Sequence, residues 1–111
     1  MSEETVSYKD FKKLEFRVGT IKTCEPVQGS DKLFRIQVEM GDETRQIISG
    51  LRQYYEAEEM EGKRIVVVVN LKPAKIFGQT SNGMLLAAET RDGDLALLTT
   101  DKEIANGARV S

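Results

Sequence analysis

The chain has 111 residues and a mass of 12.4 kDa, room for one compact domain with a real core, and its 40% hydrophobic and 31% charged residues argue against disorder. Histidine is absent and cysteine occurs once, at Cys24, which removes intrachain disulfides, cysteine- and histidine-based metal sites, and Ser-His or Cys-His nucleophile pairs. The net charge of −2 is uneven: residues 61–88 carry four basic side chains (Lys63, Arg64, Lys72, Lys75) against one acidic (Glu61), while residues 1–60 and 89–111 are net acidic.

Ser7-Tyr8-Lys9-Asp10 has the form of a capping box, and Tyr8, Phe11 and Leu14 follow at helical spacing, so a short helix is predicted over 7–14. From Phe16 the period becomes two. Phe16 and Val18 share one parity and Ile21 and Thr23 the other, and a parity switch at Gly19 reads as a bulge in the first strand. The Pro-Val-Gln-Gly-Ser-Asp run at 26–31 is a loop. Phe34, Ile36, Val38 and Met40 then alternate with a mostly polar face, a half-buried second strand. Gly41-Asp42 turns the chain into a third strand over Thr44–Ser49. Leu51, Tyr54, Tyr55 and Met60 return to helical spacing, with Gly62 as the stop. Arg64–Asn70 reads as a fourth strand buried on both faces, 71–83 as a long connection or distorted hairpin, and Met84–Ala88 as a fifth strand. Asp92-Gly93 is a hairpin turn into Leu95–Thr99, and 89–111 forms a C-terminal extension.

Three strands, a helix, then two or three strands is the order of an all-β, OB-fold Greek-key barrel, here with a short N-terminal helix and extra C-terminal strands. Such barrels bind ligands on the face of strands 2 and 3 and in the loops joining strands 1–2 and 4–5. In this chain those loops are 26–31 and 71–83, and the second lies inside the basic third. Topology and charge therefore point to one surface, and Lys72 and Lys75 are its candidate phosphate contacts. The chain has no Trp, and Tyr8, Phe11, Phe16 and Phe34 belong to apolar faces, which leaves Phe77 as the sole aromatic in the binding loop. A reader of RNA shape and phosphate fits that inventory better than a reader of single strands.

Leu14-Glu-Phe-Arg-Val-Gly19, Ser30-Asp-Lys-Leu33, Ile48-Ser-Gly50, Asn70-Leu-Lys-Pro-Ala-Lys-Ile-Phe-Gly78 and Ser81-Asn-Gly-Met-Leu-Leu-Ala-Ala88 together resemble the structure-specific tRNA-binding domain family. That family includes the C-terminal extension or small subunit of methionyl-tRNA synthetases, free-standing bacterial tRNA-binding proteins and endothelial monocyte-activating polypeptide. The resemblance spans Phe11 to Val110 and implies tRNA held at its outer corner by a homodimer, largely without sequence preference. It assigns binding-loop roles to Lys72 and Lys75 and places Asn70 and Ser81 at the loop ends, as RNA contacts or as loop hydrogen bonds. Ser49 would face the same groove. Lys32 and Arg17 flank the first loop, Arg17 either touching RNA or bonding the barrel's own carbonyls, and Arg35 offers a further cation beside Lys32. Met84 is expected in the core and Cys24 as an inert buried thiol.

No apolar run reaches the roughly 18 residues of a membrane span and the N-terminus has no signal-peptide pattern, so a cytoplasmic protein is expected. No nucleophile, base and oxyanion set can be assembled, so a non-enzyme without a cofactor is expected. Its expected partners are tRNA and a second copy of the chain through the 7–14 and 89–111 segments, the dimer being either free-standing or docked on a methionyl-tRNA synthetase catalytic subunit. The alternative is a chaperone-like or protein-binding dimer on the same barrel.

Overall fold

The computed structural model describes residues 4–111. Ser7 caps the first helix, α1 (Tyr8–Phe11), its hydroxyl accepting the Asp10 N–H at 3.0 Å, while the Asp10 carboxylate pairs with Lys13 at 3.2 Å. The helix is one turn rather than the two predicted. Lys13 and Leu14 close tight turns onto Asp10 and Phe11, and the Lys13 carbonyl is claimed at 2.6 Å by the side chain of Asn70. Tyr8 and Phe11 are also more open than an apolar face implies, at 74% and 42% exposure.

Strand β1 (Phe16–Pro26) is long enough to serve two neighbours. Its first half pairs antiparallel with β4 (Arg64–Val68) and its second half with β2 (Phe34–Glu39), which continues into β3 (Thr44–Ser49). The register shift lies between Ile21 and Thr23, not at Gly19, and brings both Ile21 and Cys24 into the core, three residues apart, instead of Thr23. Gly19 has a different task. A Cβ there would stand 2.6 Å from Met40 Sδ and 2.6 Å from Val38 Cγ1, so the glycine lets β2 close on β1.

Between β3 and β4 the chain makes a turn and a single helical turn, α2 (Ala57–Met60), shorter than the helix predicted from Leu51. Glu59 accepts the Glu56 N–H at 2.7 Å at its start, and Met60 is fully buried at the barrel's end. Gly62, at φ 90°, stops it as expected. The core comprises Ile21, Phe34, Ile36, Val38, Met40, Ile47, Leu51, Met60, Ile65, Val67 and Leu85 with Cys24 and Val69.

Residues 71–83 form a hairpin, β5 (Ala74–Ile76) with β6 (Gln79–Ser81). The expected fifth strand is broken at Leu86 into β7 (Met84–Leu85), which pairs with β4, and β8 (Ala87–Glu89), which pairs with β9 (Leu95–Leu97) across the Asp92-Gly93 turn. Finally β10 (Arg109–Val110) returns to β1. The main sheet runs β3-β2-β1-β4-β7 with β10 on β1, an all-β, OB-like barrel that is nearly closed. Single bonds complete the closure: Asn82 N–H to the Gln46 carbonyl at 2.7 Å, Gln46 Nε2 to the Thr80 carbonyl at 2.8 Å, and Ile48 N–H to Ser81 Oγ at 3.0 Å. Among the described residues, no helix is long and apolar enough to cross a membrane.

Candidate nucleic-acid interface

The β5–β6 hairpin folds over the outer face of β3. Ile47 lies in the core, so alternation turns Ile48 outward, yet Ile48 is only 5% exposed because the hairpin covers it. Ile48, Leu71, Ala74, Ile76 and Met84 line a shallow depression of about 180 Å³ with Lys72 at its edge. Met84 is therefore not in the core, contrary to the expectation from sequence; it is 50% exposed, since Leu85 takes the inward position of the strand. The run Met-Leu-Leu-Ala-Ala is apolar throughout, and its parity cannot be read from sequence.

Lys72 and Lys75 both stand exposed on this hairpin, and among the described residues neither has a carboxylate within ion-pair distance. Arg45, by contrast, is spent on structure: it donates to the Val69 carbonyl at 2.8 Å and to Asn82 at 3.2 Å, and pairs with Glu43. Arg35 lies opposite Ile48, on the face the hairpin folds over, and pairs with Glu25 at 3.2 Å. Lys32 is exposed on the loop after β1, where its backbone is fixed by Ser30 Oγ and the Arg52 N–H. Arg52 also donates its guanidinium to the Ser30 carbonyl. The two loops singled out by topology do meet: a side chain at Gly29 would begin 3.4 Å from Cε2 of Phe77.

Other candidates are placed differently. Ser81 is 4% exposed, and its hydroxyl accepts from Ile48 and donates to the Gly83 carbonyl at 3.1 Å. Asn70 spans the start of the barrel, its Oδ1 accepting the Glu15 N–H at 2.8 Å and its Nδ2 donating to Lys13. Both hold the loop ends by hydrogen bonds. Ser49 pairs with buried Phe34, and alternation puts it on that inner face rather than on the hairpin side with Ile48. Arg17 donates to the Gly107 carbonyl at 2.9 Å and to Glu15 at 2.8 Å, tying the C-terminal segment to β1. That hydrogen bond and the guanidinium charge hold the Glu15 carboxyl below its ordinary value. Cys24 is buried, and desolvation, followed by the charges of Glu61, Glu25 and Glu58, pushes its thiol up to about 12. Among the described residues no group of carboxylates and cysteine can hold a metal ion.

The family model described as "Putative tRNA binding domain" matches residues 16–109. The chain belongs to that family. The methionine–tRNA ligase of Caldanaerobacter subterraneus subsp. tengcongensis is 47% identical over 112 residues, covering 98% of this chain and 17% of the ligase. The methionine–tRNA ligase of Archaeoglobus fulgidus is 49% identical over 108 residues, covering 97% of this chain and 16% of the ligase. The chain thus spans about a sixth of the length of these relatives. Among solved structures, a MetRS-related protein from Pyrococcus horikoshii superposes with a TM-score of 0.92 at 40% identity, over 97% of this chain and 99% of that one. The chaperone CsaA of Bacillus anthracis superposes with a TM-score of 0.88 at 28% identity, over 97% of this chain and all of the other.

Proposed function

We propose that this domain binds tRNA, reading the shape and backbone of the folded RNA rather than its sequence, and delivers it to a methionyl-tRNA synthetase in the cytoplasm. The observation that carries the reading is the pair Lys72 and Lys75, exposed on a hairpin held to β3 and, among the described residues, unpaired with carboxylates. Pro73 between them restricts the backbone, so part of the ordering cost of binding is met by the fold. Lys32 and Arg35 extend the cationic surface toward the loop that meets Phe77. A homodimer through the terminal segments suits the exposed apolar side chains there, Val6, Tyr8, Phe11, Leu14 and Ile104. Ligation itself belongs to the remainder of the long relatives, and this domain acts as a binding module without a cofactor.

Filter binding with unfractionated tRNA tests the reading. A saturable complex is expected, its log affinity falling with log salt at a slope of roughly −0.7 to −0.9 per phosphate contact, with little difference between tRNA species. The likeness to CsaA supports a second reading, a chaperone-like protein-binding dimer. Under that reading no saturable tRNA complex forms.

A further inference from the structure

The tip of the β5–β6 hairpin is Phe77-Gly78, with φ of 53° and 78°. Two positive values between paired strands mark the primed turn that matches strand twist, a turn dominated by Asn-Gly, Asp-Gly and Gly-Gly. Gly78 meets that demand at no cost. Phe77 does not: it is the sole non-glycine residue with positive φ among the described residues, and an aromatic ring there is backbone strain that Asn would relieve. Nor does the ring repay the strain by burial, since Phe77 is 57% exposed. One edge, Cε2 and Cζ, faces Gly29 of the other loop, where a Cβ would stand 3.4 and 3.6 Å from those two atoms, in ordinary contact. The strained turn thus holds a half-bare aromatic ring at the junction of the two ligand loops, on the same hairpin as Lys72 and Lys75.

We propose that Phe77 is a stacking platform for an unpaired base of the bound RNA, adding one base contact to a surface that otherwise holds phosphates. This rests on the proposal that the hairpin binds tRNA. A base suits the position because its flat face matches the ring while its own phosphates lie within the reach of lysines on one short hairpin.

Phe77→Asn separates the ring's two effects. The variant is expected to melt a few degrees above the parent, because the turn is relaxed, and yet to bind unfractionated tRNA on the order of tenfold more weakly. Its salt slope should match the parent's, since no phosphate contact is lost. A fully paired RNA duplex, which offers no free base, should bind parent and variant alike. Because the chain has no tryptophan, Phe77→Trp supplies a single reporter whose emission should be quenched by tRNA and not by the duplex. Equal tRNA binding by parent and Asn variant overturns the stacking role while leaving tRNA binding in place. A lower melting temperature for the Asn variant also overturns it, by making the ring's contact with Gly29 its purpose. If the parent itself forms no tRNA complex, the functional reading fails first and this proposal with it.

Discussion

Ser81 Oγ lies 3.0 Å from the backbone nitrogen of Ile48, and with the two bonds of Gln46 to Thr80 and Asn82 it stands in for a strand ladder where β3 meets the hairpin. The bond is buried and the same oxygen donates to Gly83, so both of its roles are filled inside the protein. Ser81→Ala leaves the Ile48 N–H without a partner. A loss of about 1–3 kcal/mol is expected in urea unfolding. Affinity for tRNA, measured well below the melting point, should stay within about twofold; a larger loss would make Ser81 an RNA contact.

Gly19→Ala should be worse than a methyl's size implies. The new Cβ would stand 2.6 Å from Met40 Sδ and Val38 Cγ1 and 3.1 Å from the Glu39 carbonyl. The sulfur sits on a flexible side chain, but the backbone carbonyl has little freedom to retreat. A destabilisation of about 1–3 kcal/mol is expected by thermal melting. An unchanged midpoint would mean that the two strands can separate without cost.

These two residues show where sequence reasoning works and where it stops. β2 is legible because one face meets the core and the other does not, so Phe34, Ile36 and Val38 alternate with polar residues. Gly19 is visible as a glycine in a strand, but a bulge and a close approach leave the same mark. Met84 misleads for a related reason: the apolar run around it hides which parity faces in. Charge singles out Lys72 and Lys75 and composition singles out Phe77 as the loop's aromatic, but only the observed φ reveals the strain at Phe77.

Cys24 yields a pH prediction. Its thiol is raised from 9.0 to about 12, first by burial, so the folded state holds the proton more tightly than the unfolded chain. The stabilisation is complete below pH 9 and drains away as pH climbs toward 12, at up to about 1.4 kcal/mol per pH unit. Cys24→Ala should flatten that part of the alkaline stability curve. A thiol reagent at pH 8 should label Cys24 only after denaturation. Rapid labelling of the native protein would contradict its burial.

Assembly can be tested at the terminal segment. Tyr8 is 74% exposed and Phe11 42% exposed, and Phe11 stacks on Phe16 at 5.7 Å between ring centroids. Light scattering at micromolar concentration should give twice the chain mass of 12.4 kDa. Tyr8→Glu combined with Phe11→Glu should return it to the monomer mass, because two carboxylates would have to be desolvated in the interface. A monomer mass for the parent protein would refute the dimer.

Reversal of the two hairpin lysines tests the interface most directly. Lys72→Glu with Lys75→Glu removes two attractions to phosphate and adds two repulsions, about 1–2 kcal/mol per site. Among the described residues neither lysine is in an ion pair, so the melting temperature should barely move. The salt slope of whatever tRNA binding remains should be shallower by about two contacts. That slope separates a local effect from a general one, because a distant charge change would weaken binding by repulsion at low salt without removing counterion release. Parental affinity in the double variant would show that RNA lies elsewhere, with Lys32 and Arg35 as the next cations to reverse. Loss of the fold would mean that the hairpin depends on its lysines, and single Lys72→Gln and Lys75→Gln variants, which remove charge without adding any, would then carry the comparison.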